Sequence, residues 1–384
     1  MPQAVEENKK SKSKGLKALI IAVAVIASIA VIAALFIHIT TLPKSEADEN
    51  AIFVGGMITS DTVEYQSEAA EGLDKNPVVK FMQMVWRFCD GGDKKKHAAQ
   101  TPPDNVIEIA DIPYIDDGNH YHKLDVMYPD NASAQDKLPV IIDIHGGGWM
   151  YADKDLNDNY CLGLASRGYV VFNISYRLVP DVTVEEQIQD VAFALQWISQ
   201  NMSSYPCDED NILLTGDSAG GQLAVYSAII LQSEELQSVF NTVDADMDIT
   251  ALLLTSPVSY MKSGGMFSAY TKPLWGKGYK DKPTYNYMDL DEIIDYAKDV
   301  PPTYFITSSG DTLAHSQTLK AYELMQDKGV KCELADYDKE AFGKSLPHVF
   351  GVLYPYDEAG TAATDSALDF YQQIISQKQT VSEQ

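Results

Sequence analysis

Thr215-Gly216-Asp217-Ser218-Ala219-Gly220-Gly221 follows the apolar run Ile212-Leu213-Leu214 and precedes a helix-like run from Gln222 to Leu231. The order is strand, sharp turn, helix. A serine at the apex of such a turn has its hydroxyl pushed out at the end of a sheet. Glycine is needed on either side, because a side chain there would collide with backbone folded back on itself. The stretch reads as a Gly-x-Ser-x-Gly nucleophile elbow and makes Ser218 the candidate nucleophile.

About seventy residues upstream, Ile144-His145-Gly146-Gly147-Gly148-Trp149 follows a second apolar run. Three consecutive glycines let backbone approach a ligand, and their free amides can point at a developing oxyanion. The amides of Gly146, Gly147 and Ala219 are the expected oxyanion hole.

From Val106 onward the pattern alternates between strand and helix. Strands are expected at Val106–Ile109, Tyr121–Tyr128, Pro139–Ile144, Tyr169–Ser175, Asn211–Leu214, Thr250–Thr255, Thr303–Thr307 and Cys332–Tyr337. Helices are expected near Leu156–Arg167, Val184–Asn201, Ala219–Leu231, Ser316–Lys328 and Thr364–Ser376. Asp116-Asp117-Gly118-Asn119 reads as a tight turn joining the first two strands in an antiparallel hairpin. The later alternation calls for a parallel sheet of about eight strands with helices on both faces.

Four stretches resemble the hormone-sensitive-lipase-like branch of the α/β-hydrolase superfamily, the acetyl esterase/lipase group. They are His145-Gly146-Gly147-Gly148-Trp149, Tyr176-Arg177-Leu178-Val179-Pro180-Asp181, Asp190 with Trp197, and Gly216-Asp217-Ser218-Ala219-Gly220-Gly221. Val179 and Asp181 depart mildly from the family's usual Ala and Glu. The resemblance covers roughly residues 106–377 and implies an α/β-hydrolase fold and a serine carboxylesterase acting on small, short-acyl esters through a Ser-His-Asp triad. Its acid turn is matched by Gly310-Asp311-Thr312-Leu313, making Asp311 the acid. Its histidine motif is matched by His348-Val349-Phe350, making His348 the base in preference to His315. No metal or organic cofactor is implied. A peptidase or amidase on the same triad, and a non-catalytic receptor or adhesion domain on the same fold, are the alternative readings. Asp217 and Asp143 read as structural hydrogen-bond acceptors.

Outside this region, Ala18 to Ile37 is uncharged, with Ser28 its one polar interruption. Twenty residues of helix span about 30 Å, the thickness of a bilayer core. Lys9, Lys10, Lys12, Lys14 and Lys17 precede the run, against Glu6 and Glu7. The positive-inside bias then predicts a cytoplasmic tail at 1–17, a signal anchor at 18–42 and a catalytic domain outside the cell. A cleaved signal peptide is the rival, although its apolar core is normally shorter. Residues 43–104 are expected to form a linker and a cap helix opening at Asn76-Pro77 and ending at Gly91-Gly92. That helix is apolar on both faces, which suits a cap over the enzyme or contact with the membrane surface. The catalytic domain is placed at 105–384, with a lid insertion at 259–299 rich in Tyr260, Phe267, Tyr270, Trp275, Tyr279, Tyr285, Tyr287 and Tyr296.

The net charge of −26 is carried beyond the lysine-rich start and argues against nucleic acid as a partner. Cys89, Cys161, Cys207 and Cys332 are too sparse for a disulfide scaffold and have no zinc-site spacing. Asn131, Asn173 and Asn201 head glycosylation sequons.

Overall fold

A computed structural model describes residues 2–40, 67–133, 135–262 and 274–382. Its centre is an eight-stranded sheet made of β1 (Val106–Pro113), β2 (Lys123–Pro129), β3 (Leu138–Ile144), β4 (Val170–Ile174), β5 (Cys207–Asp217), β6 (Ala251–Thr255), β7 (Thr303–Ser308) and β8 (Cys332–Tyr337). The spatial order is β1-β2-β4-β3-β5-β6-β7-β8. β2 runs antiparallel to both β1 and β4, and every pairing from β4 to β8 is parallel.

The central strands are continuous apolar runs because both faces of the sheet are covered. Side chains alternate between two cores, as the two-residue period requires. Val140, Ile142, Phe172, Leu214, Leu254 and Phe305 enter one core, with α4 (Val184–Asn201) and α5 (Ser218–Ile230). Ile141, Val171, Leu213, Leu253, Tyr304 and Ile306 enter the other, with α3 (Asp158–Ala165) and α10 (Glu358–Ser382). Every residue of α5 is buried, so it has no polar face. Between these helices lie α6 (Glu234–Phe240), α7 (Leu290–Ile293), α8 (His315–Asp327) and α9 (Phe350–Leu353).

The first hairpin differs from its expected form. β1 runs on to Pro113 after a register shift between Ile109 and Ile112. At this shift Asp111 takes a φ of 59° and donates its amide to Asp125 Oδ1 at 2.7 Å. The connection is consequently the loop 114–122, closed by Tyr114 N donating to His122 O, in place of a tight turn.

At the N-terminus, α1 (Pro2–Thr40) contains Leu19–Ile39, a run of mean hydropathy 3.1, long and apolar enough to cross a membrane and exposed along nearly its whole length. α2 (Pro77–Ala98) opens as expected, with Asn76 Oδ1 accepting from Val78 N and Pro77 in the first turn. It does not end at Gly91-Gly92. Glycine costs about 1 kcal/mol relative to alanine in a helix. Tertiary contacts in the last turns override that cost: Tyr151 donates to Asp93 Oδ2, and Asn159 Nδ2 donates to His97 O. All four cysteine thiols are free. Asn173 is fully buried and donates to Lys154 O, so its sequon is closed to modification.

Candidate active site

β3, β5, β7 and β8 release their chains at one edge of the sheet, where the carboxyl ends of parallel strands form a crevice. β5 ends at Asp217, and Ser218 opens α5 with a φ of 51°. A left-handed conformation costs a non-glycine residue about 1–2 kcal/mol and is held by its surroundings. The glycines supply the close packing that holds it. A Cβ on Gly216 would stand 2.5 Å from the Gly220 carbonyl carbon. One on Gly220 would stand 1.9 Å from Ile144 O and 2.4 Å from His145 O. The elbow is thereby pressed against the strand that carries the glycine loop.

That loop is cross-braced. Tyr176 donates its hydroxyl to His145 O at 2.9 Å and to Gly146 O at 3.1 Å. The Tyr176 ring stacks on the His145 imidazole, with centroids 4.3 Å apart. Burial drives the His145 imidazole down to about 4, so it is neutral at pH 7. Gln187 Nε2 donates to Trp149 O and Arg177 O, and the Arg177 guanidinium grips Asp190 through Nε and Nη2. The Tyr176–Asp181 motif and Asp190 therefore serve the loop that precedes them in sequence.

The glycine amides differ in role. Gly146 N donates to Asp217 Oδ1 at 2.9 Å, so this amide is spent inside the protein and is not presented to the crevice. A three-donor set containing Gly146 does not match that geometry. Among the described residues Gly147 N and Gly148 N donate to no protein acceptor, and Ala219 N lies in the first turn of α5, where amides lack an intrahelical partner. Asp217 also accepts from Asn157 Nδ2 at 2.9 Å, and the same amide group donates to Asp143 Oδ2 at 2.8 Å. Burial, followed by the Asp217 charge, pushes the Asp143 carboxyl up to about 8. Asp217 and Asp143 thus act as acceptors that tie β3, β5 and the elbow together. Sequence reading had no signal for the Asn157 bridge, which comes from a loop with no motif.

β7 ends at Ser308, and Asp311 follows in the turn. Asp311 Oδ1 accepts from Leu313 N and Ala314 N, each at 2.9 Å, and Oδ2 faces His348 Nδ1 at 2.9 Å. Burial alone would raise the Asp311 carboxyl. The His348 hydrogen bond and charge, with the Ala314 amide, hold it below the usual carboxylate value. His348 reaches this position although residues 338–346 lengthen its loop. Leu346 O accepts from Ser308 Oγ, and Leu346 N donates to Lys339 O, which folds the segment back onto the acid turn. Gly310 is required there, since a Cβ would lie 2.4 Å from Leu346 O. The other ring nitrogen of His348, Nε2, is buried and has no hydrogen-bond partner among the described residues. His315 points elsewhere, with Nε2 3.0 Å from Asp336 Oδ1.

Above the site, α2 lies across the glycine loop. Its Trp86 stacks on Tyr151 at 5.3 Å, and a Cβ on Gly148 would meet the Trp86 ring at 2.6 Å. Phe267 and Tyr270 fall outside the described residues. In the described part of the insertion, Tyr260 and Trp275 are buried in the core, and Tyr279, Tyr285 and Tyr287 pack against it. These aromatics are packing residues. One carboxylate trio among the described residues, Glu108, Asp125 and Asp158, has the spacing of a metal site. The Lys154 ammonium, 3.0 Å from Asp125 Oδ2, already supplies a positive charge there.

The BD-FAE family model matches residues 124–317. The probable carboxylic ester hydrolase LipM of Mycobacterium tuberculosis is 26% identical over 251 residues, which are 62% of this chain and 57% of that protein. The chain thus spans little more than half of that curated relative. Esterase B from Lactobacillus rhamnosis superposes with a TM-score of 0.74 at 28% identity, over 85% of this chain and 99% of that one. A structure of the same esterase inhibited with a C4-C4 tributyrin phosphonate gives 0.73 at 30% identity, over 78% and 96%. With the sheet order, the elbow and the glycine loop in place, the chain belongs to the BD-FAE family, in the hormone-sensitive-lipase-like branch of the α/β-hydrolases.

Proposed function

We propose that this protein is a serine carboxylesterase, anchored in the cell membrane by α1 with its catalytic domain outside, and cleaving short-acyl carboxylic esters. The observation that carries the catalytic reading is the 2.9 Å contact of His348 Nδ1 with Asp311 Oδ2, combined with a buried Nε2 that has no hydrogen-bond partner among the described residues. A base oriented on one side and open on the other is what nucleophile activation requires, and such contacts tighten when substrate binds.

Neutral His348 takes the proton of Ser218 Oγ as that oxygen attacks the ester carbonyl. Asp311 fixes the tautomer and stabilises the imidazolium. The oxyanion is held by Gly147, Gly148 and Ala219 amides; Gly146 anchors the loop through Asp217. Each such donor is worth about 3–4 kcal/mol in the transition state. His348 then protonates the leaving alcohol, and water, deprotonated by the same imidazole, releases the acid. The short-acyl preference draws support from the tributyrin phosphonate bound by esterase B. Anchoring draws support from the apolar run Leu19–Ile39 following a lysine cluster.

The test is a panel of esters of increasing acyl length given to the wild type and to Ser218→Ala. The wild type should turn over the short esters, and the variant should fall by several orders of magnitude. Variant turnover within tenfold of wild type would sink the assignment. Protease added to intact cells should release the part beyond residue 43; protection of that part would contradict the outward topology.

A further inference from the structure

α2 has two faces with different jobs. Val79, Met82 and Trp86 point inward, and Trp86 covers the glycine loop. Val78, Phe81, Val85 and Phe88 form a second stripe at helical spacing, and they are 42%, 51%, 36% and 66% exposed. Four large apolar side chains on one exposed face need an explanation that single exposed residues do not. Lys75 and Lys95 are exposed at the two ends of the stripe, and Lys80 is half-buried on its flank. An apolar stripe rimmed by lysines is the pattern of a helix lying in a membrane interface.

The rest of the chain says which occupant this face meets. α1, whose run Leu19–Ile39 is exposed along nearly its whole length, touches α2. A bilayer holding α1 therefore reaches α2 without any further partner. A second copy of the chain is the poorer fit. A stable interface buries about 800 Å² per partner, more than two phenylalanines and two valines between lysines supply.

We infer that the outer face of α2 lies in the boundary between lipid headgroups and acyl chains, and that the Ser218 site takes its esters from the bilayer. The substrate class is then lipophilic esters dissolved in membrane, a conclusion that rests on the esterase reading above. One helix, roughly 10–12 Å across with its side chains, separates the lipid from the glycine loop, with Trp86 on the enzyme side and Phe81 and Phe88 on the lipid side.

The full chain is reconstituted in vesicles of phosphatidylcholine with brominated acyl chains. Tryptophan is introduced as Phe88→Trp or, as a control on α4, Phe193→Trp, whose parent side chain is 37% exposed. The added fluorescence of Phe88→Trp should be quenched at least twofold more strongly than that of Phe193→Trp; equal quenching would overturn the proposal. In a second arm, the double variant Phe81→Ser/Phe88→Ser should lose at least tenfold in turnover of a long-acyl ester dissolved in the vesicles and stay within twofold on a water-soluble short ester. Equal losses on both esters would overturn the delivery role. A dimer in detergent that dissociates in the double variant would assign the face to a second copy and overturn the lipid contact. Were the wild type to cleave neither ester, the esterase reading would fail and delivery with it, while the quenching arm would still decide where the helix lies.

Discussion

Asp311→Asn probes the proposed triad through the hydrogen bonds around one side chain. Oδ1 of Asp311 accepts from two backbone amides, Leu313 N and Ala314 N. Only an oxygen can do this, so the carbonyl of an asparagine must take that place. Its NH2 group is then forced toward His348 Nδ1, which stands 2.9 Å from the second carboxylate oxygen. An NH2 donor requires Nδ1 to accept, and the ring proton moves to Nε2. The nitrogen that should deprotonate Ser218 is then already protonated. An Asp-to-Asn change in this role lowers kcat by about 10⁴, equivalent to about 5.5 kcal/mol of transition-state stabilisation. The fold should lose much less, because both amide hydrogen bonds survive; about 1–2 kcal/mol is expected for the lost charged contact to His348. The assay is kcat for an activated short-chain ester near pH 7, with urea unfolding run in parallel. A variant within tenfold of wild type, or one that loses activity only because it unfolds, would refute the tautomer argument.

His348→Ala should reduce kcat by about a thousandfold or more and abolish phosphonate labelling, whereas His315→Ala, which gives up an exposed contact to Asp336, should keep both; the reverse pattern would reassign the base. Gly220→Ala places a Cβ 1.9 Å from Ile144 O and should cost at least the ~3 kcal/mol at the top of ordinary overpacking. Gly91→Ala, in a helix with open space around it, should instead stabilise by about 0.5–1 kcal/mol; urea midpoints of the two variants check the contrast. Asp143 is raised to about 8 in the folded protein. Below its unfolded value the neutral carboxyl contributes its full stability, and that stability is lost as pH rises through 8. Asp143→Asn, neutral at every pH, should flatten the decline between about pH 4 and 8; an unchanged slope in urea titrations would show that this carboxyl is not its source.

How much was legible in the sequence follows from how local each feature is. The elbow and the glycine loop could be read because their glycines are demanded by contacts within a few residues or with the adjacent strand, as at Gly216 and Gly220. The parallel sheet could be read from apolar runs separated by helical periods. The role of Gly146 could not. Nothing in His-Gly-Gly-Gly tells which amide faces a substrate, and the Asp217 carboxylate that captures it lies 71 residues away. The extension of α2 past Gly91-Gly92 was hidden for the same reason, since Tyr151 and Asn159 hold those turns from outside the helix. The β1 bulge was equally hidden: the Asp111 amide that fixes it is paid back by Asp125, on another strand. The placement of His348 depended on Leu346 folding onto Ser308, a contact with no motif.

The most direct test of the esterase account is to react the full chain with a short-acyl phosphonate and map the adduct by mass spectrometry of its peptides. The account predicts one adduct, on the peptide containing Ser218, formed in proportion to loss of ester turnover and absent from Ser218→Ala. Turnover that persists with Ser218 fully modified, or inactivation with the adduct on another residue, would contradict it.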